Sequence, residues 1–184
     1  MLVDSALGEK VTLGIDPGSH RCGWGVVIGV PGRYRALDFG CIEPPPDAEP
    51  GERLFFIYSR VQEIIAAYNP ADLAIEKLFF NRNVTSCIGV AEARGVVLLA
   101  AQQAGIPISQ YTPGDIKKAL TGSGKADKQE VTLMVVAHLG LDKKPRLDDT
   151  ADALAAAITH ICSGGLRELG CLAKLSGRRR KLPF

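Results

Sequence analysis

The chain has 184 residues, 46% of them apolar, with a formal charge of +2 and a pI near 8.3. That is the size of one ordinary domain able to bury a core without disulfides, and the charge is too mild to announce a nucleic-acid ligand by itself. No apolar run approaches the ~18 residues of a membrane span, "MLVDSALGEK" lacks the core of a signal peptide, and five scattered cysteines without a C-x-x-C pair argue against zinc or redox chemistry. The expectation is a cytoplasmic protein with no membrane association.

In chain order, "VTLGID" (11–16) reads as a strand ending on Asp16, broken by Pro17-Gly18. "CGWGVVIGV" (22–30) and "RYRALDFGCIE" (33–43) follow, joined at Pro31-Gly32. Three such runs linked by short turns predict an antiparallel meander. From Arg53 to Tyr68, Leu54, Ile57, Tyr58, Val61, Ile64 and Ile65 recur at helical spacing until Asn69-Pro70 stops the pattern. "DLAIEKLFF" is a short buried strand that runs into a second carboxylate, Glu76. The apolar stretch from Thr85 to Ala104 predicts a long, largely buried helix closed by Gly105 and Pro107. "IPISQY" is another strand, "TPGDIKKAL" a short helix behind a Thr-Pro cap signal, "GSGKADK" a basic loop, and "KQEVTLMVVAHLG" a helix. "DDTADALAAAITHIC" is the last helix, and Lys174, Arg178, Arg179, Arg180 and Lys181 crowd a tail with little to bury, which reads as disordered. That tail either touches DNA or merely solubilises the chain. Strands joined through helices must lie parallel. The fold class is therefore α/β, a five-stranded mixed sheet flanked by helices.

Acidic residues stand where core elements end: Asp16, Glu76, and the "DDTAD" that opens the last helix. Within it Asp149 and Asp152 share a face, as do Asp148 and Asp152, and spacing does not choose between the first two. Adjacent parallel first and fourth strands would bring Asp16 and Glu76 to one sheet edge, where open sheets place ligand sites. Like charges so placed repel unless a hard cation with oxygen ligands sits between them. Two such ions activate water and stabilise the leaving oxygen in phosphodiester cleavage. Singly, each acid also suits a turn or a helix cap; Glu76, flanked by "LAI" and "LFF", is the least easily explained that way.

The blocks "LGIDPGSHRCGWGVV", "AIEKLFFNRNVTS", "EARGVVLLAA", "KADKQEV" and "DTADALAAAITH", in order from about residue 11 to 162, resemble those of the RuvC family of bacterial Holliday junction resolvases. The resemblance implies a ribonuclease H-like domain over 11–165, behind an extension at 1–10 and ahead of the basic tail at 166–184. It implies a homodimer that works with a branch-migration motor and nicks opposed strands of a four-way DNA junction, using Mg²⁺ or Mn²⁺, two ions per site. The family's acidic tetrad falls on Asp16, Glu76, Asp149 and Asp152, leaving Asp148 outside. Lys128 and Lys117 match lysines near the scissile phosphate, Phe79 matches an aromatic wedge at the crossover, and Lys125, Arg82 and Asn83 are expected backbone contacts. Phe80, facing the other way, is the expected core member. Two readings compete with junction resolution: a ribonuclease H-like nuclease on another nucleic acid, and a junction-binding protein whose carboxylates are structural.

Overall fold

The computed structural model describes residues 8–78 and 84–177, the second stretch with side chains over 87–164. Strands β1 (Lys10–Asp16), β2 (Cys22–Val30) and β3 (Arg33–Ile42) precede α1 (Pro50–Tyr68) and β4 (Asp72–Glu76). Then come α2 (Val84–Gln103), β5 (Ile108–Tyr111), α3 (Pro113–Thr121), α4 (Lys128–Leu139) and α5 (Asp148–Gly177). The strands form the expected mixed sheet, in the order β3-β2-β1-β4-β5. The β1–β2 and β2–β3 pairs are antiparallel, and β1–β4 and β4–β5 are parallel.

The two-residue period of a strand decides which helices each face meets. On β1 and β4, Leu13, Ile15, Leu73 and Ile75 point to one side and pack with Ile57, Val61 and Ile64 of α1 and Ala93, Val97 and Ala100 of α2. Ala74 points to the other side, into the core shared with Leu154 and Ile158 of α5 and with α3 and α4. Gly14 also faces α5: a Cβ there would stand 2.0 Å from the Ala153 carbonyl oxygen. One further step of two residues carries Asp16 and Glu76 onto that same α5 face. The β1–β4 register, with Ile15 opposite Ile75, sets them side by side.

The structure departs from the expected elements in four places. Helix α1 starts three residues early, because Pro50 suits a first helical position and Glu52 accepts the Glu49 amide at 2.9 Å. Strand β4 stops at Glu76, and Lys77 and Leu78 do not continue it; Phe79 and Phe80 lie outside the described residues. Helix α2 is not largely buried: Ile88 is 56% and Leu99 51% exposed. Its apolar residues run all round the helix, and the core takes only one side. Finally, α5 continues to Gly177 through "LRELGCLAKLSG", inside the stretch expected to be a disordered tail. Leu, Arg, Glu, Ala and Lys there are strong helix formers, and 178–184 fall outside the described residues. Among the described residues no helix is long and apolar enough to cross a membrane.

Candidate active site

Asp16 and Glu76 are the last residues of adjacent parallel strands, and Asp149 in the first turn and Asp152 at the start of the second belong to the helix lying over those strand ends. That helix reaches them because the sheet beneath it lacks side chains: a Cβ on Gly23 would stand 2.0 Å from the Asp149 carbonyl oxygen. The Thr150 hydroxyl donates to the Gly40 carbonyl at 3.0 Å and fixes the turn against β3. Lys128 arrives from the start of α4, where Asp127 caps the helix by accepting the Glu130 amide at 2.8 Å.

The acids act on one another. Burial pushes the Asp16 carboxyl up to about 7, and the charges of Asp152, Asp149 and Glu76 add to it while Lys128 opposes. Burial and Asp152 likewise raise Glu76, against the pull of Lys128 and Lys117. Asp152 is raised by burial despite its contact with Lys128. Burial works against the Lys128 ammonium, but Asp152 and Asp148 outweigh it and its pKa rises. Lys128 Nζ lies 3.0 Å from Asp152 Oδ2 and 3.6 Å from Asp148 Oδ2. Arg21 Nε lies 3.5 Å from Asp149 Oδ2.

Asp148 is the outlier: its side chain is 71% exposed, against 29% for Asp152. Lys117 is near enough to act on Glu76. Lys125 lies apart from the acids, lining a separate hollow with Thr121, Ser123 and Glu130. Phe79, Arg82 and Asn83 lie outside the described residues.

The donors suit a hard divalent cation. They are carboxylate oxygens drawn together against their own repulsion, the situation such an ion relieves. Burial pushes the neighbouring Cys22 thiol up to about 12, which removes the thiolate a softer metal would need. Among the described residues no three acids already stand as a closed ligand set. Arg21 and Lys128 hold Asp149 and Asp152, so seating an ion requires carboxylates to turn from these cations.

Four residues escaped the sequence reading. Gly14 and Gly23 permit the close approach of α5, and their signal was glycine recurring at strand period where bulky residues would be expected. Arg21 pairs with Asp149 across a long sequence gap that no local pattern encodes. The fourth, Arg94, was visible as the one cation in the apolar run that became α2.

The family described as crossover junction endodeoxyribonuclease RuvC matches residues 12–160, a span holding all four acids and Lys128. The chain belongs to the RuvC family. The RuvC of Moorella thermoacetica is 47% identical over 148 residues, 80% of this chain and 89% of that one. Among solved structures, T. thermophilus RuvC in complex with Holliday junction substrate is similar with a TM-score of 0.81 at 40% identity, covering 86% of this chain and 96% of that one. The yeast mitochondrial Holliday junction resolvase Ydc2, at 14% identity and a TM-score of 0.64 over 89% of this chain and 83% of its own, shares the fold. The ribonuclease H-like architecture of the RuvC family, whose matched members are named crossover junction endodeoxyribonucleases, therefore extends to this chain.

Proposed function

We propose that this RuvC-family endonuclease resolves four-way DNA junctions in recombination and repair by one nick at each of two symmetry-related sites, each built on Asp16, Glu76, Asp149 and Asp152. The observation that carries the reading is the meeting at one sheet edge, beside Lys128, of Asp16 and Glu76, brought there by strand parity and register, with Asp149 and Asp152 from the start of α5. Those carboxylates would hold Mg²⁺ or Mn²⁺, which when bound supplies an activated water and stabilises the leaving oxygen. The raised carboxyls must lose their protons to hold a cation, so cation binding competes with protonation of Asp16 near neutral pH. Lys128, kept charged by Asp152 and Asp148, offers a fixed positive charge to the phosphate once Asp152 turns toward the cation. Lys117, acting on Glu76 from α3, lies on the same side.

The deciding experiment offers the protein an immobile synthetic junction, an RNA–DNA hybrid and a linear duplex, each with Mg²⁺ or with chelator. Paired symmetric nicks on the junction, abolished by chelator, are expected. Faster cleavage of the hybrid would transfer the chain to the broader ribonuclease H-like class, and binding without nicking would make the acids structural.

A dimer supplies the second site. Ile88, Ala91, Gly95 and Leu99 recur at helical spacing and are all exposed on α2, leaving an apolar stripe of small and branched residues for a second copy. Leu99→Asp is expected to give a monomer in sedimentation velocity and to uncouple the two nicks; an unchanged dimer would put the interface elsewhere. The family likeness also supports Phe79 as the wedge, Arg82, Asn83 and Lys125 as backbone contacts, and a branch-migration motor as partner. Phe79→Ala is expected to slow nicking more than Phe80→Ala, and Phe80→Ala to cost more stability. The reverse ranking in rates and thermal midpoints would exchange the two roles.

A further inference from the structure

Arg94 is only 8% exposed, on the side of α2 that faces the sheet, among Ala93, Val97 and Ala100. Burial alone lowers its pKa, and among the described residues no carboxylate forms an ion pair with it. Its partners are neutral: Nη1 donates to the Glu76 carbonyl at 2.6 Å and Nη2 to Gln110 Oε1 at 2.8 Å. A buried guanidinium without an anion is costly, and an apolar residue would serve packing alone better. The contact falls where β4 runs out of strand partners, its pairing with β1 ending at Ile75 and that with β5 at Glu76. Beyond it lies a small cavity of about 260 Å³ lined by Asp16, Glu76, Lys77, Arg94 and Pro113.

We propose that Arg94 is a positioning residue of the nuclease site: its fork ties the Glu76 backbone to β5 and α2 at once, so that the Glu76 carboxylate faces the cavity it shares with Asp16. The inference rests on the nuclease reading. Only Arg fits the geometry, since two parallel N–H groups reach two acceptors on different strands, whereas Lys offers one point charge. Without the fork, the Glu76–Lys77 peptide keeps only the bond from the Lys77 amide to the Tyr111 carbonyl at 2.7 Å, which loosens the hold on one of the carboxylates that would bind the cation.

The test compares Arg94→Met and Arg94→Lys with the unaltered protein in three measurements: thermal midpoint, calorimetric binding of Mn²⁺ to the protein alone, and nicking of the synthetic junction as Mg²⁺ is titrated. Loss of a residue that orients a metal ligand typically weakens metal binding or activity by roughly 10–100-fold. Both variants are therefore expected to bind Mn²⁺ at least about 10-fold more weakly and to need correspondingly more Mg²⁺ for half-maximal nicking. Junction binding in chelator should stay within about 2-fold of the unaltered protein, since Arg94 has no part in that contact. A variant with unchanged Mn²⁺ affinity and Mg²⁺ dependence, whether or not its thermal midpoint falls, overturns the proposal and leaves Arg94 a packing residue. Should Arg94→Met fail to fold, Arg94→Lys, which keeps the charge and one bond, decides by the same two readouts. If the unaltered protein itself does not nick the junction, the nuclease reading fails; the Mn²⁺ titration still judges Arg94.

Discussion

Asp16→Asn is expected to lower metal-dependent nicking by roughly 10³-fold or more while leaving junction binding intact or tighter. Asp16 ends the strand adjoining Glu76, and the charges of Asp152, Asp149 and Glu76 all act on it, so it sits at the electrical centre of the pocket. An amide there is a poor ligand for a hard cation, yet it removes one negative charge from a surface that must receive phosphate. Single-turnover nicking and an electrophoretic binding titration in chelator test the two halves. Residual nicking within about 10-fold of the unaltered protein would move the chemistry away from Asp16.

The same substitution has a signature in stability. Asp16 titrates at about 7 in the folded chain against an ordinary value of 3.8, so the folded state holds the extra proton across that interval. A raised carboxyl contributes stability that is fully present below about 3.8 and lost as pH rises through about 7. In metal-free buffer, Asp16→Asn is therefore expected to match the unaltered protein near pH 4 and to melt higher above pH 7, by on the order of a few kcal/mol. Mg²⁺ should close the gap by stabilising only the protein that binds it. Equal melting temperatures at pH 8 without metal would show that the acids do not strain the fold.

Gly23→Ala is expected to be the most damaging single methyl. The added Cβ would stand 2.0 Å from the Asp149 carbonyl oxygen and 2.2 Å from its carbon, a clash with helix backbone that no rotamer relieves. Overpacking of this kind costs roughly 1–3 kcal/mol, lowering the thermal midpoint of a chain this long by about 2–4 °C per kcal/mol. The larger loss should appear in catalysis: displacing the start of α5 by about 1 Å moves Asp149 and Asp152 together, and such misplacement costs roughly 100-fold in rate. Gly51→Ala is the control, because a Cβ there meets nothing within 4 Å and the position lies inside α1. It should leave nicking unchanged and raise stability by up to about 1 kcal/mol. Wild-type nicking by Gly23→Ala would mean that α5 tolerates a shift off the sheet without losing the site.

Much of this was legible one residue at a time. The Pro-Gly breaks delimited β2 without error and β1 to within a residue, and the Asn69 and Gly105 stops bounded α1 and α2 closely, because turn chemistry and periodicity are local properties of the chain. The apolar runs leading into Asp16 and Glu76 allowed them to be singled out as carboxylates ending buried strands. Family likeness extended the set to Asp149, Asp152 and Lys128, where helical spacing alone left Asp148 and Asp149 equal. The exposed turn of Asp148 and the pairing of Asp149 with Arg21 are matters of helix orientation, which spacing does not encode.

Apolar runs and turn signals thus determined the strands and the carboxylates at their ends, since each depends on residues within a few positions of one another. Tertiary structure alone decided that β4 lies beside β1, that α5 descends onto Gly14 and Gly23, and that Arg94 reaches the end of β4. Those are contacts between segments far apart in the chain, set by which faces bury each other, and no short-range pattern carries that information. The exposed stripe of α2 belongs with them: its residues are apolar on every side, and only the packed sheet selects the side left open.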